Sequence, residues 1–146
     1  MIRVVLDTNV LVSALLKPES LPAAVLLLAL SGRVQLCVSE PVLAEYEAVI
    51  RRPRLKCAAD VIEGAMRAMR TQGRRVEPTM GVCACGDPED NKFLACAEAS
   101  DADHLVTGNK RHFPDRWKNT LVVGPRQLIE LLIGEQPPRQ KGTTEG

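Results

Sequence analysis

The sequence predicts an α/β domain built on a mainly parallel β-sheet flanked by α-helices. Short apolar runs alternate with stretches of helical periodicity along the chain, as in a sheet whose strands are joined by helical crossovers. The first run, Val4-Val5-Leu6, carries no polar residue on either face and so reads as a strand buried on both sides. At 146 residues and 45% hydrophobic content, the chain has the size of one ordinary domain and can bury a sizeable core.

The first strand covers 2–6 and is followed by Asp7-Thr8-Asn9, with Thr8 or Asn9 placed to cap a helix over 9–16. Lys17-Pro18-Glu19-Ser20 breaks that helix. Pro22 suits the first turn of the next, which runs to about residue 30 and stops at Ser31-Gly32. A second strand covers 34–38. Ser39 caps the following helix, Pro41 sits in its first turn, and Val42, Leu43, Tyr46, Val49 and Ile50 recur at helical spacing until Arg52-Pro53 ends it.

A helix over 58–71 is lined by Val61, Ile62, Ala65 and Met69 and stopped by Gly73, after which 75–78 reads as a short edge strand. Asp87-Pro88-Glu89-Asp90 opens a further helix with Phe93, Leu94 and Ala97 on one side. Strands over 104–107 and 121–123 follow, and Gly124-Pro125 introduces a terminal helix whose apolar face is Leu128, Leu131 and Leu132. From Gly134 onward the residues offer too little apolar surface to offset the entropy of ordering, so a domain over 1–133 and a disordered tail over 134–146 are expected.

Composition narrows the function classes. The 19 basic and 18 acidic residues nearly cancel, so no global charge advertises nucleic acid or a membrane, and any such affinity is local. The longest apolar stretch, 21–30, contains Pro22 and is too short to span a bilayer, and the N-terminus carries no basic segment leading into an apolar export core. A cytoplasmic protein with no membrane association is expected. The cysteines, Cys37, Cys57, Cys83, Cys85 and Cys96, are odd in number and have no exported context, which points to free thiols. Cys83-Ala84-Cys85 has no second closely spaced cysteine pair, and His104 and His112 lie far downstream, which argues against structural zinc.

The acids carry the chemistry. Asp7 ends the first strand, Glu45 lies in the second turn after Ser39, and Asp90 lies in the first turn of the helix opened by Asp87. In a parallel sheet these ends share the carboxyl edge, where α/β folds bind ligands. Asn109, after the strand over 104–107 and Gly108, reaches the same edge with a neutral amide. Two carboxylates about 4 Å apart at an effective dielectric near 20 repel by roughly 4 kcal/mol. A hard divalent cation, magnesium or manganese, offsets that repulsion and leaves water positions open for hydrolysis.

Each residue also has a purely structural explanation. Asp90 suits a capping box with Asp87 as the cap, Glu45 a solvated helix position, and Asn109 a turn with Gly108. Asp7 is the least easily explained in this way. As a strand-end acid it also suits an aspartyl-phosphate nucleophile, but Asn9 stands where the best-known enzymes of that kind carry a second aspartate.

These residues in this order resemble the PIN-domain family, and within it the VapC-like toxins of prokaryotic type II toxin-antitoxin modules. The resemblance rests on Val4-Val5-Leu6-Asp7-Thr8-Asn9-Val10-Leu11-Val12-Ser13, on Ser39-Glu40-Pro41-Val42-Leu43-Ala44-Glu45-Tyr46, on Asp87-Pro88-Glu89-Asp90-Asn91-Lys92-Phe93-Leu94, and on Leu105-Val106-Thr107-Gly108-Asn109-Lys110-Arg111-His112-Phe113. It implies a single PIN-like domain acting as a magnesium- or manganese-dependent ribonuclease on RNA, held in check by a cognate antitoxin and commonly paired as a homodimer. By resemblance Asp7, Glu45 and Asp90 are the metal-binding and catalytic acids. Asp87 is a nearby carboxylate, and Thr8 and Asn9 orient Asp7. Asn109 is the fourth catalytic position by resemblance and stands where the family often has aspartate, which removes one charge from the site. An RNA- or protein-binding module with weakened or lost nuclease activity is the alternative. Of the two basic groups, Lys110, Arg111, Arg116 and Lys118 follow the acidic edge and are the better RNA-binding candidates, while Arg51, Arg52, Arg54 and Lys56 read as a solvated helix end.

Overall fold

The computed structural model describes residues 1–82 and 88–134. Six strands, β1 (Arg3–Leu6), β2 (Gln35–Val38), β3 (Arg74–Arg75), β4 (His104–Val106), β5 (Arg116–Trp117) and β6 (Thr120–Val123), form one sheet in the order β3-β2-β1-β4-β6-β5. All neighbours pair in parallel except β5, which returns antiparallel to β6. Among the described residues six α-helices flank them: α1 (Thr8–Leu16), α2 (Leu21–Leu30), α3 (Glu40–Ile50), α4 (Ala59–Gln72), α5 (Asn91–Ser100) and α6 (Pro125–Gly134). Successive side chains of a strand point to opposite faces, and Val4, Val5 and Leu6 are all fully buried, so helices cover both faces of β1. Leu36, Leu105, Val106, Val122 and Val123 continue that core across the sheet.

The expected α/β class with a mainly parallel sheet is the observed one. Differences are local. Asp7, rather than Thr8 or Asn9, occupies the N-cap position of α1, with extended φ and ψ of −66° and 150°, and its side chain makes no capping hydrogen bond. Its carboxylate is committed elsewhere. The helix at 59–72 buries Ile62, Met66 and Met69, while Val61 faces solvent, because the buried stripe runs one position along from the expected one. The edge strand falls at 74–75 rather than 75–78, pairing Cys37 with Arg74 and Val38 with Arg75. The β5 strand was not expected, its two residues being too few to show a period. Pro88–Asp90 is a separate 3-10 turn, so Asp90 stands at the N-cap position of α5.

Ser39 caps α3 as expected, accepting a 3.3 Å hydrogen bond from the Val42 amide. The α6 helix includes Gly134, and residues 135–146 lie outside the described residues, as do Asp87 and the Cys83-Ala84-Cys85 segment. Cys37, Cys57 and Cys96 are free thiols, and burial pushes the Cys96 thiol up to about 12. Among the described residues no single helix is long and apolar enough to cross a membrane; α1 and α2 reach the required length only as a pair bent by 104°.

Candidate active site

The strand order reverses direction at β1, which pairs with β2 on one side and β4 on the other. Such a switch point leaves a crevice at the carboxyl ends of the two central strands. An open cleft of about 380 Å³ lies there, lined by Asp7, Thr8, Asn9, Val12, Glu45, Val49, Arg52, Arg54, Leu55, Asp90, Asn109 and His112. That volume is within the usual range for ligand sites, about 300–1,000 Å³. A larger depression of about 730 Å³, lined by Lys110, Gly124, Pro125 and Arg126 among others, holds a single carboxylate, Glu130.

Register explains how Asp7 is held. Leu6 pairs with Val106, so Asp7 and Thr107 are the next residues on adjacent strands, and the Asp7 amide continues the ladder by donating to the Val106 carbonyl at 2.9 Å. The Thr107 hydroxyl donates to the Asp7 carboxylate at 2.7 Å and itself accepts the Asn109 amide at 3.0 Å. Burial raises the pKa of Asp7 and is the largest influence. The Thr107 hydrogen bond opposes it, the Asp90 charge adds to it, the Thr8 amide opposes it, and the Glu45 charge adds to it.

Glu45 reaches the cleft because Val42, Leu43, Tyr46 and Ile50 of α3 are the residues turned into the core. Tyr46 anchors that docking: its buried hydroxyl donates to the Leu6 carbonyl, one residue before Asp7, and its ring lies 6.5 Å from that of Phe93 on α5. Both Glu45 oxygens have partners. Oε1 accepts from Lys92 Nζ at 3.1 Å and Oε2 from the Thr8 hydroxyl at 3.5 Å, while Lys92 also reaches Glu89 at 2.8 Å. Burial alone lowers the pKa of the Lys92 ammonium, but its bonds to Glu89 and Glu45 outweigh this and the net shift is upward. His112 Nδ1 lies 3.8 Å from Asp90 Oδ2. Asn9 Oδ1 accepts the Gly108 amide at 3.3 Å, tying α1 to the loop after β4.

The structure therefore gathers Asp7, Glu45, Asp90 and Asn109 around one cleft, with Thr8 and Asn9 beside them. Among the described residues no group of three or more His, Cys, Asp or Glu is placed so that it could hold a metal ion. The donor set is carboxylate and amide oxygen in an open cleft, which suits magnesium or manganese. Such ions keep several waters and take only one or two carboxylates directly.

The basic residues divide between two depressions and the outer strand. Lys110 lines the neighbouring depression and Arg116 lies on the outer strand β5, whereas Arg52 and Arg54 line the acidic cleft. The signal for Arg52 was present in the sequence, since Glu45, Val49 and Arg52 follow one another at helical spacing along one face. Nothing in the sequence near Thr107 marks its place, which depends on the pairing of strands about a hundred residues apart.

A family model described as PIN domain matches residues 3–111. The uncharacterized protein MJ1680 of Methanocaldococcus jannaschii is 30% identical over 141 residues, covering 88% of this chain and 90% of that protein. The crystal structure of VapBC2 from Rickettsia felis, bound to a DNA fragment from their promoter, contains a chain that superimposes with a TM-score of 0.54. That match has 17% sequence identity and covers 84% of this chain and 98% of the other, a likeness of fold.

Proposed function

Because this chain belongs to the PIN domain family, we propose that it is a magnesium- or manganese-dependent endoribonuclease, the toxin component of a toxin-antitoxin module. The observation that carries this reading is the meeting of Asp7, Glu45 and Asp90 on one cleft at the sheet's switch point, with Asp7 buried and its pKa raised. Burying a carboxylate beside two others is unfavourable for the fold, and a ligand cation is what such an arrangement accommodates.

In this reading Asp7, Glu45 and Asp90 would hold the cation, one or two directly and the rest through its waters, with Asn109 as a neutral oxygen ligand or hydrogen-bond donor. When bound, the ion supplies a water of lowered pKa and neutralises charge on the phosphodiester under attack. Thr107 fixes the orientation of Asp7, Thr8 that of Glu45, and Asn9 that of the loop carrying Asn109. Asp87 is assigned an assisting role through water. The VapBC2 neighbour supports a cognate antitoxin as partner, and the helices α2 and α6 are the proposed homodimer surface, which sedimentation of the purified chain tests.

The test is calorimetric titration with manganese together with RNA cleavage in magnesium. The reading expects the parent to bind manganese and cleave, and Asp7→Asn to lose cleavage. Absence of manganese binding, or an Asp7→Asn protein as fast as the parent, overturns it. The salt bridge from Lys92 to Glu45 favours a second reading, an RNA- or protein-binding module with weakened nuclease activity. RNA binding without metal-dependent cleavage supports that alternative.

A further inference from the structure

The cations around the cleft are not equivalent. Lys92 is taken up by Glu45 and Glu89, and His112 lies beside Asp90. Arg51, next in sequence to Arg52, is held by Glu47 and Glu63, and Arg75 by Glu40. Arg52 and Arg54 line the same cleft as Asp7, Glu45 and Asp90, yet neither forms an ion pair among the described residues. Both are exposed, so two guanidinium groups without an ion pair among the described residues stand on the rim of the acidic cleft, open to an incoming anion.

The backbone that carries them is fixed by its own hydrogen bonds. The Arg52 amide donates to the Val49 carbonyl at 3.1 Å, closing α3, and the 3-10 turn Pro53–Leu55 follows, with the Leu55 amide donating to the Arg52 carbonyl at 3.0 Å. Pro53 fixes one φ of that turn. Leu55, Val49 and Val12 line the cleft with the two arginines, giving one wall an apolar base under a cationic rim. The acids repel a nucleic-acid backbone, so the strand's phosphates need positive charge beside the cation, and this wall carries it.

We propose that Arg52 and Arg54 hold backbone phosphates of the RNA on the α3–α4 side of the cleft, so that the strand approaches over the Pro53 turn and not across Lys110 and Arg111. This rests on the ribonuclease reading. Arginine suits the task because its planar fork meets two phosphate oxygens at once.

The experiment measures anisotropy of a fluorescein-labelled mixed-sequence single-stranded RNA in magnesium at several salt concentrations. It uses the Asp7→Asn protein and its Arg52→Ala/Arg54→Ala and Lys110→Ala/Arg111→Ala derivatives, with circular dichroism to verify folding. Loss of two phosphate contacts lowers the salt slope by about 1.4 and weakens binding on the order of tenfold at low salt. That result is expected for Arg52→Ala/Arg54→Ala, with the Lys110→Ala/Arg111→Ala protein close to its parent. Single-stranded DNA of the same sequence behaving alike supports the phosphate assignment, since phosphates are common to both. An unchanged slope and affinity in Arg52→Ala/Arg54→Ala overturns the proposal while leaving the ribonuclease reading standing, as does loss confined to Lys110→Ala/Arg111→Ala. Unchanged RNA binding with lost binding of poly-glutamate assigns the pair to an acidic protein segment and also overturns it. A parent that binds neither nucleic acid overturns the phosphate assignment, while the ribonuclease reading stands or falls on manganese binding and cleavage by the unsubstituted protein.

Discussion

The Thr107 hydroxyl donates to the Asp7 carboxylate across 2.7 Å, joining residues 100 positions apart in the sequence and adjacent in the sheet. Thr107 is fully buried, and its oxygen also accepts the Asn109 amide. One hydroxyl thus orients a proposed metal ligand and fixes the start of the loop that bears Asn109. Thr107→Val keeps the shape and removes both bonds, leaving an amide and a carboxylate short of a partner. A cost of about 1–3 kcal/mol is expected in urea unfolding.

The same substitution predicts a pH effect. A cation displaces the proton from Asp7, so manganese affinity rises as pH rises through the raised Asp7 pKa. The Thr107 bond holds that pKa down against burial, so Thr107→Val moves the rise in affinity to higher pH. Calorimetric titration across a pH series measures it; an unmoved profile contradicts the assigned role.

Asp7→Asn is expected to be more stable than the parent while losing cleavage. The folded-state pKa of Asp7 lies above its ordinary value of 3.8, so folding favours the protonated form. Its stabilising contribution is present in full below 3.8 and is lost as pH rises through the raised value, leaving an unfavourable buried charge at neutral pH. Asparagine has no charge to bury. A gain on the order of 1 kcal/mol at neutral pH, shrinking to nothing in acid, is expected in metal-free thermal unfolding.

Lys92→Met removes the ammonium that sits on Glu45. The parent cation competes with an added divalent ion for that carboxylate, so manganese should bind the variant about tenfold more tightly, equivalent to about 1.4 kcal/mol. The gain stays below the full Coulomb energy of a close pair because both side chains retain some contact with water. Equal or weaker binding contradicts the competition.

Tyr46→Phe deletes the hydroxyl that reaches the Leu6 carbonyl at the end of β1. With Tyr46 fully buried, the loss is expected to cost about 1–3 kcal/mol in urea unfolding. Manganese affinity should fall as well, since Asp7 follows directly on the strand that the hydroxyl steadies.

What could be read from the sequence follows the range of the interaction. Val4-Val5-Leu6, Ser39 with the α3 spacing, and Leu128 of α6 were legible because a strand run, a cap and a helical face are written within a few neighbouring residues. So was the gathering of Asp7, Glu45, Asp90 and Asn109, once the strands were taken as parallel. The capping of α1 was misread because the local preference for Thr8 or Asn9 ignores that Asp7 has a distant partner in Thr107. The place of Arg52 on the cleft rim is hidden for a related reason. A cluster of basic residues looks alike whether solvated or lining a cleft, and only the positions of Glu47, Glu63 and Glu45 distinguish Arg51 from Arg52.

The strand order has a consequence for how the cleft comes into being. Asp7, Glu45, Arg52 and Arg54 belong to the half of the chain that builds β1, β2 and β3, whereas Asp90, Thr107, Asn109 and His112 arrive with α5 and β4. Neither half holds the whole cleft lining. A ribosome that has released only the first half of this polypeptide has therefore made a fragment with one wall of the cleft and no Thr107 to steady Asp7. The proposed site is complete only once the central strand has found partners on both its edges.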